Sequence, residues 1–164
     1  MKIETDRLTI CHLHKEDWKA LKNIFDDFNR SQYAVYDRPL PTEDEAVKAL
    51  TKQFVDSKLF FAVSLSDQII GYIGFHKIQD TYDLGYCFHS SCHGKGYACE
   101  SVKDLIDYFI KTYHAAKFTA GTALENTPSC SLLKKLGFRC HSTDTVCFDG
   151  SFSFQGGNFI LEIP

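Results

Sequence analysis

A chain of 164 residues has the length of one domain with one core, and its 44% hydrophobic and 14% aromatic content excludes a disordered chain. A net charge of -3 at pH 7 excludes the broad basic face that a nucleic-acid partner needs, while leaving room for a local phosphate pocket. No run approaches the roughly 18 apolar residues of a membrane span, and the opening MKIETDRLTI has no apolar segment of the export type, so a cytoplasmic protein without a membrane partner is expected.

In chain order, KIETDRLTICHL alternates as a first strand, and HKEDWKALKNIFDDF places Trp18, Leu21, Ile24, Phe25 and Phe28 at helical spacing. PTEDEAVKALTKQF follows as a second helix, with Thr42 as its N-cap and Glu45 completing a capping box. The period then switches. LFFAVSL and IIGYIGFHKI form a hairpin across SDQ, and YDLGYCFH is a third strand of the same kind. Residues 98 to 112 return to a helix, with Val102, Leu105, Ile106, Phe109 and Ile110 along one face. KFTAGTA is a short strand. TPSCSLLKKLG reads as a helix capped by Thr127, with Pro128 at its first position and Gly137 as its stop. FRCHSTDTVCFDGSFSFQGGNFILEI closes the chain as two strands around DG. This order predicts a single α+β domain over 1–164, with a largely antiparallel sheet and one β-α-β crossover around the helix of residues 98 to 112.

The seven cysteines (11, 87, 92, 99, 130, 140 and 147) are an odd number without an export signal, so reduced thiols are expected. CFHSSCH gathers Cys87, His89, Cys92 and His93, which raises a metal or redox site as a rival reading. Structural zinc draws on two separated pairs, whereas Cys87 and His89 lie two apart on one strand with no clean second pair downstream, so no metal is expected.

HGKGYA (93–98) joins a strand to a helix. A helix start leaves backbone N–H groups free and favours an anion, and glycine lets the backbone close on it. The segment is chemically a diphosphate cradle or else a plain tight turn. A P-loop would need Ser or Thr where Gly96 stands and Gly where His89 stands, and the dinucleotide fingerprint would need Gly at Cys99.

His93-Gly94-Lys95-Gly96-Tyr97-Ala98 resembles the Q/R-x-x-G-x-G/A loop of the GCN5-related N-acetyltransferases (GNAT), which holds the pyrophosphate of coenzyme A, with His93 replacing Gln or Arg. ENTPSCSLLKKLGF resembles that family's N-x-x-S…K-x-G-F segment in Asn126, Ser129, Lys135, Gly137 and Phe138. IETDRLTICHL resembles the T-x-R-L-x-L start of the RimJ/RimL-type subgroup, which acetylates N-termini of ribosomal proteins. The resemblance implies a GNAT-like sheet of about seven strands, mostly antiparallel and twisted, with a central splayed parallel pair and about four helices. It implies acetyl-coenzyme A as cosubstrate, held by Cys87, Phe88, His89, His93, Gly94, Lys95, Gly96, Tyr97, Ala98, Asn126 and Ser129. The Phe88 amide is expected to polarise the thioester carbonyl.

Direct transfer to an amine needs a base, and Asp83 stands where the subgroup has Glu in E-(I/L)-G-Y. Its shorter side chain suggests action through a water, with His76 as the fallback. The tyrosine that protonates the leaving thiolate in many members is replaced by Leu133, so the acid is unassigned. Tyr33, Tyr36, Arg38 and Phe152 are candidates for an acceptor slot, which could take a protein N-terminal amine, an amino sugar or a small metabolite amine. A GNAT-like domain that only senses acyl-coenzyme A is the other alternative. A monomer or a homodimer is expected.

Overall fold

The computed structural model describes residues 1–164. Its elements are β1 (Lys2–Glu4), β2 (Leu8–His12), α1 (Trp18–Asn29), α2 (Asp44–Ser57), β3 (Phe60–Leu65), β4 (Gln68–Ile78), β5 (Thr81–Phe88), α3 (Tyr97–Tyr113), β6 (Lys117–Ala123), α4 (Thr127–Lys135), β7 (Arg139–Cys147) and β8 (Ser153–Glu162). All eight strands form one sheet in the order β1-β2-β3-β4-β5-β6-β8-β7. Every neighbouring pair is antiparallel except β5 and β6.

Alternation along the strands splits their side chains between two cores. In β3, Phe61 and Val63 join a cluster with Val102, Leu105 and Phe109 of α3, while Phe60 and Ala62 join Leu21, Ile24 and Phe25 of α1. A register shift between Val63 and Ser64 marks a bulge in the β3–β4 pair. It explains why Ile70 and Ile73, three apart, share the α3-side core.

The predicted opening strand is two strands. Thr5 stops it: its hydroxyl accepts from the Leu8 amide at 2.9 Å, and its own amide donates to the Leu8 carbonyl at 2.9 Å. That local side-chain bond turns the chain through Asp6 and Arg7, which apolar alternation alone does not reveal. The sheet therefore has eight strands where seven were expected.

Two caps also shift. Helix α2 starts behind Glu43, not Thr42, and no side chain caps it; Glu45 pairs with Lys48 at 2.8 Å, so the capping box does not form. Helix α4 is capped by Asn126, not Thr127, through Oδ1 accepting from the Ser129 amide at 3.3 Å. Pro128 then sits in the first turn, and Gly137, at φ +91, ends the helix as predicted.

Strands β5 and β6 pair in register only at Tyr82 with Phe118 and Asp83 with Thr119. Beyond those residues the two strands part. Parallel strands that stop pairing leave facing backbone without partners, which is a place to put a ligand.

Candidate active site

The parted ends of β5 and β6 open on a cleft of about 870 Å³, lined by residues 84–88 of β5, residues 120–123 of β6, and the loop entering α3. The His89 amide donates to the Ile70 carbonyl at 2.9 Å, which faces it towards β4. Strand alternation turns the Cys87 backbone the same way and points the N–H and C=O of Tyr86 and Phe88 into the gap. Phe88 thus offers its amide to the cleft. The amides of Cys87 and His89 face away from it.

The glycines do what bare backbone allows. Gly94 has φ +72 and Gly96 has φ +81, a left-handed conformation that side chains disfavour, and Gly96 is the residue before α3. The first helical bond runs from the Glu100 amide to the Gly96 carbonyl at 3.0 Å, and the amides from Gly94 to Cys99 have no acceptor within the protein. A row of free N–H groups at a helix start is an anion site by charge and by geometry. Lys95 lays its ammonium on the Ser91 carbonyl at 3.0 Å. The His93 ring turns back, with Nε2 donating to the Phe88 carbonyl at 2.8 Å. His93 therefore ties the loop to the strand end, and its Nε2 is not directed at the cradle.

The loop's near end is held by α1. Asp27 accepts from the Ser90 amide at 2.8 Å and the Ser90 hydroxyl at 2.6 Å, and His89 Nε2 lies 3.5 Å away. Burial works against the Asp27 charge, but the Ser90 bonds and the nearby His89 and His93 rings hold its carboxyl below the usual aspartate range. A carboxylate with a depressed folded-state value stabilises the fold fully above the ordinary pKa of about 3.9, and the contribution is lost as pH falls through the lower folded value. Asp27→Ala is expected to cost about 1–3 kcal/mol at pH 7 by leaving both Ser90 donors without their acceptor. Thermal melts from pH 7 to pH 3 should then show a smaller acid-induced loss than in the parent.

Two further side-chain groups were not visible in the sequence. Tyr86, on the α3/α4 side of β5, shares a hydrogen bond of 2.7 Å with Ser129, and both line the cleft. Burial pushes the Tyr86 phenol up to about 12, against the pull of the Ser129 bond, so it stays protonated. At the closed base of the gap, Thr119 donates to Asp83 Oδ1 at 2.7 Å. His76 faces Asp83 across the β4–β5 register and packs edge-on against Phe60, 5.5 Å between centroids. His76 lines the cleft, and Asp83 stands one step below its lining residues Leu84 and Gly85. The Asp83 face continues through Gly85 to Cys87. The Cys87 thiol is pushed up to about 12, chiefly by burial and then by the charges of Asp27 and Asp37.

The remaining candidates gather at the other end. Tyr33 and Tyr36 line the cleft, and the Tyr36 hydroxyl donates to Glu125 at 2.6 Å. Tyr36 packs against Phe154 and Phe152, and the Arg38 guanidinium lies 5.4 Å from the Phe148 ring centroid. Arg38 and Phe152 do not line the cleft, and Tyr36, Phe152 and Phe154 form one aromatic cluster that joins the α1–α2 connection to the β7–β8 hairpin. The cysteines are all free thiols, and no group of three or more His, Cys, Asp or Glu is placed to hold a metal ion. No helix is long and apolar enough to cross a membrane.

A splayed parallel pair, a row of free amides at the next helix and an adjoining aromatic cluster meet in this one cleft. Residues 7–139 match the family model for the acetyltransferase (GNAT) domain, and the chain belongs to that family. It is similar to YnaD, an uncharacterised N-acetyltransferase of Bacillus subtilis, at 32% identity over 143 residues, which are 85% of this chain and 83% of the relative. The fold is also that of a GNAT-family acetyltransferase from Bacillus anthracis, with a TM-score of 0.87 at 24% identity over 99% of this chain and 98% of the other. RimL, a ribosomal L7/L12 alpha-N-protein acetyltransferase solved in complex with coenzyme A, matches at a TM-score of 0.88 and 13% identity, over 99% of this chain and 98% of that one. The protein is an N-acetyltransferase of the GNAT family.

Proposed function

We propose that the protein transfers acetyl from acetyl-coenzyme A directly to a primary amine in the cleft between β5 and β6. The observation that carries the reading is the row of unpartnered amides from Gly94 to Cys99 at one end of that cleft. They suit the diphosphate. The inward-facing backbone of Tyr86 and the Phe88 amide suit the pantetheine arm, paired as an added strand, while the Phe88 carbonyl already accepts from His93 Nε2. Phe88 N–H is the donor offered to the thioester carbonyl as charge develops on its oxygen. The Asn126 Oδ1 is committed to capping α4, so Asn126 acts on the pantetheine arm through its Nδ2 donor.

Asp83 serves as the base, reaching the acceptor amine through a water because it stands below the lining residues, with Thr119 fixing its carboxylate. His76, opposite it, is the second candidate. The amine must lose its proton before it attacks, and a positioned base supplies that step.

A protein N-terminal amine is the acceptor we favour, on the T-x-R-L-x-L start that resembles the RimJ/RimL-type subgroup and on Tyr33 and Tyr36, which line the cleft. A small cationic amine is the second reading, because Asp37 and Asp144 line a pocket of about 210 Å³ that shares Tyr36 and residues 121–123 with the cleft. A panel of short peptides with free N-termini, amino sugars and polyamines separates the two by release of free thiol from acetyl-coenzyme A. Turnover confined to peptides supports the first reading. Turnover confined to small polyamines or amino sugars replaces it with the second.

A further inference from the structure

Arg7 lies in the turn between β1 and β2, yet its side chain reaches the loop before α3. Its NH1 donates to the Lys95 carbonyl at 2.8 Å. Its Nε and NH2 both lie 2.7 Å from Glu100 Oε2, and its backbone amide donates to Oε1 at 2.9 Å. Thr5 adds its hydroxyl to the same Oε1 at 2.5 Å. The guanidinium also lies over the Tyr97 ring, 4.6 Å from its centroid. Glu100 is in the first turn of α3 and its side chain is 17% exposed against 46% for Arg7, so the carboxylate end of this pair is sheltered and gathers several donors.

We propose that Arg7, held by Glu100 and Thr5, is a positioning residue for the loop that receives the cofactor diphosphate; this rests on the reading of that loop given above. A trans peptide carries its C=O and the following N–H on opposite sides. Holding the Lys95 carbonyl towards Arg7 therefore turns the Gly96 N–H the other way, and Gly96 lines the cleft. The same guanidinium would stand 3.3 Å from a Cβ at Gly96, so it also backs the loop at its most constrained residue. The N-terminal hairpin thereby sets the aim of the cradle without touching the ligand.

The test compares acetyl-coenzyme A with S-acetylpantetheine, which has the thioester arm and no diphosphate, by titration calorimetry on the parent, Arg7→Ala, Arg7→Lys and Glu100→Gln. The expected result is an affinity for acetyl-coenzyme A reduced on the order of tenfold in Arg7→Ala, with S-acetylpantetheine within about twofold of the parent. Arg7→Lys should fall in between, because it keeps the charge and loses the fork. If Arg7→Ala does not fold, Arg7→Lys and Glu100→Gln must show the same selective loss. Parent-like affinity for both ligands in these variants, or an equal loss for both, would overturn the positioning role alone. A parent that binds the two ligands equally well would instead overturn the diphosphate reading of the loop, and the role of Arg7 with it.

Discussion

Gly96→Val is expected to weaken binding of acetyl-coenzyme A drastically while the protein remains folded. Position 96 has φ +81, where a β-branched residue is strained by roughly 1–2 kcal/mol or more. Its new Cβ would also stand 3.3 Å from the Arg7 guanidinium. The backbone must relax towards negative φ, and that rotates the Gly96 and Tyr97 amides away from a common point. The loop is exposed and outside both cores, so the sheet survives. Titration calorimetry should show at least about a hundredfold weaker binding, beside an unchanged circular dichroism spectrum. Gly94→Ala, at φ +72 but with open space around its Cβ, should be milder. Parent-like affinity in Gly96→Val would remove the loop from the account of binding.

Asp83→Asn is expected to lower kcat by about a hundredfold and leave the affinity for acetyl-coenzyme A unchanged, because a positioned base contributes on that scale. The substitution keeps the shape of the side chain and an oxygen to accept from Thr119 at the base of the gap. A loss of activity would then report the proton acceptor and not a collapsed strand pair. His76→Gln should cost less if Asp83 is the base. An unaffected rate in Asp83→Asn together with a collapse in His76→Gln would move the role to the histidine.

The parts of this site that were legible in the sequence are those encoded within a few residues. Gly94 and Gly96 announce a backbone that side chains cannot adopt, and strand-loop-helix context gives that backbone a purpose. Alternation in YDLGYCFH placed Asp83 with Cys87 and opposed them to Tyr86 and Phe88. The same alternation misses the Thr5 turn, because a side-chain hydroxyl and not a change of period ends β1. Asn126 against Thr127 as the cap of α4 depends on which side chain reaches the Ser129 amide, and the two adjacent polar residues leave that open in the sequence. The long-range partners were silent. Asp27 and Ser90 are 63 residues apart, and Arg7 and Glu100 are 93 apart, so no local pattern joins them. Nothing local marks Tyr86 either, because its partner Ser129 is 43 residues away.

Thermal unfolding with acetyl-coenzyme A, free coenzyme A or zinc added separately tests the central claim most directly. A ligand at a hundred times its dissociation constant adds about 2.7 kcal/mol, which for a chain of this size is a rise of roughly 5–10 °C. The account predicts that rise with acetyl-coenzyme A and with coenzyme A, and none with zinc. A midpoint unmoved by either form of coenzyme A, or raised by zinc alone, would contradict it.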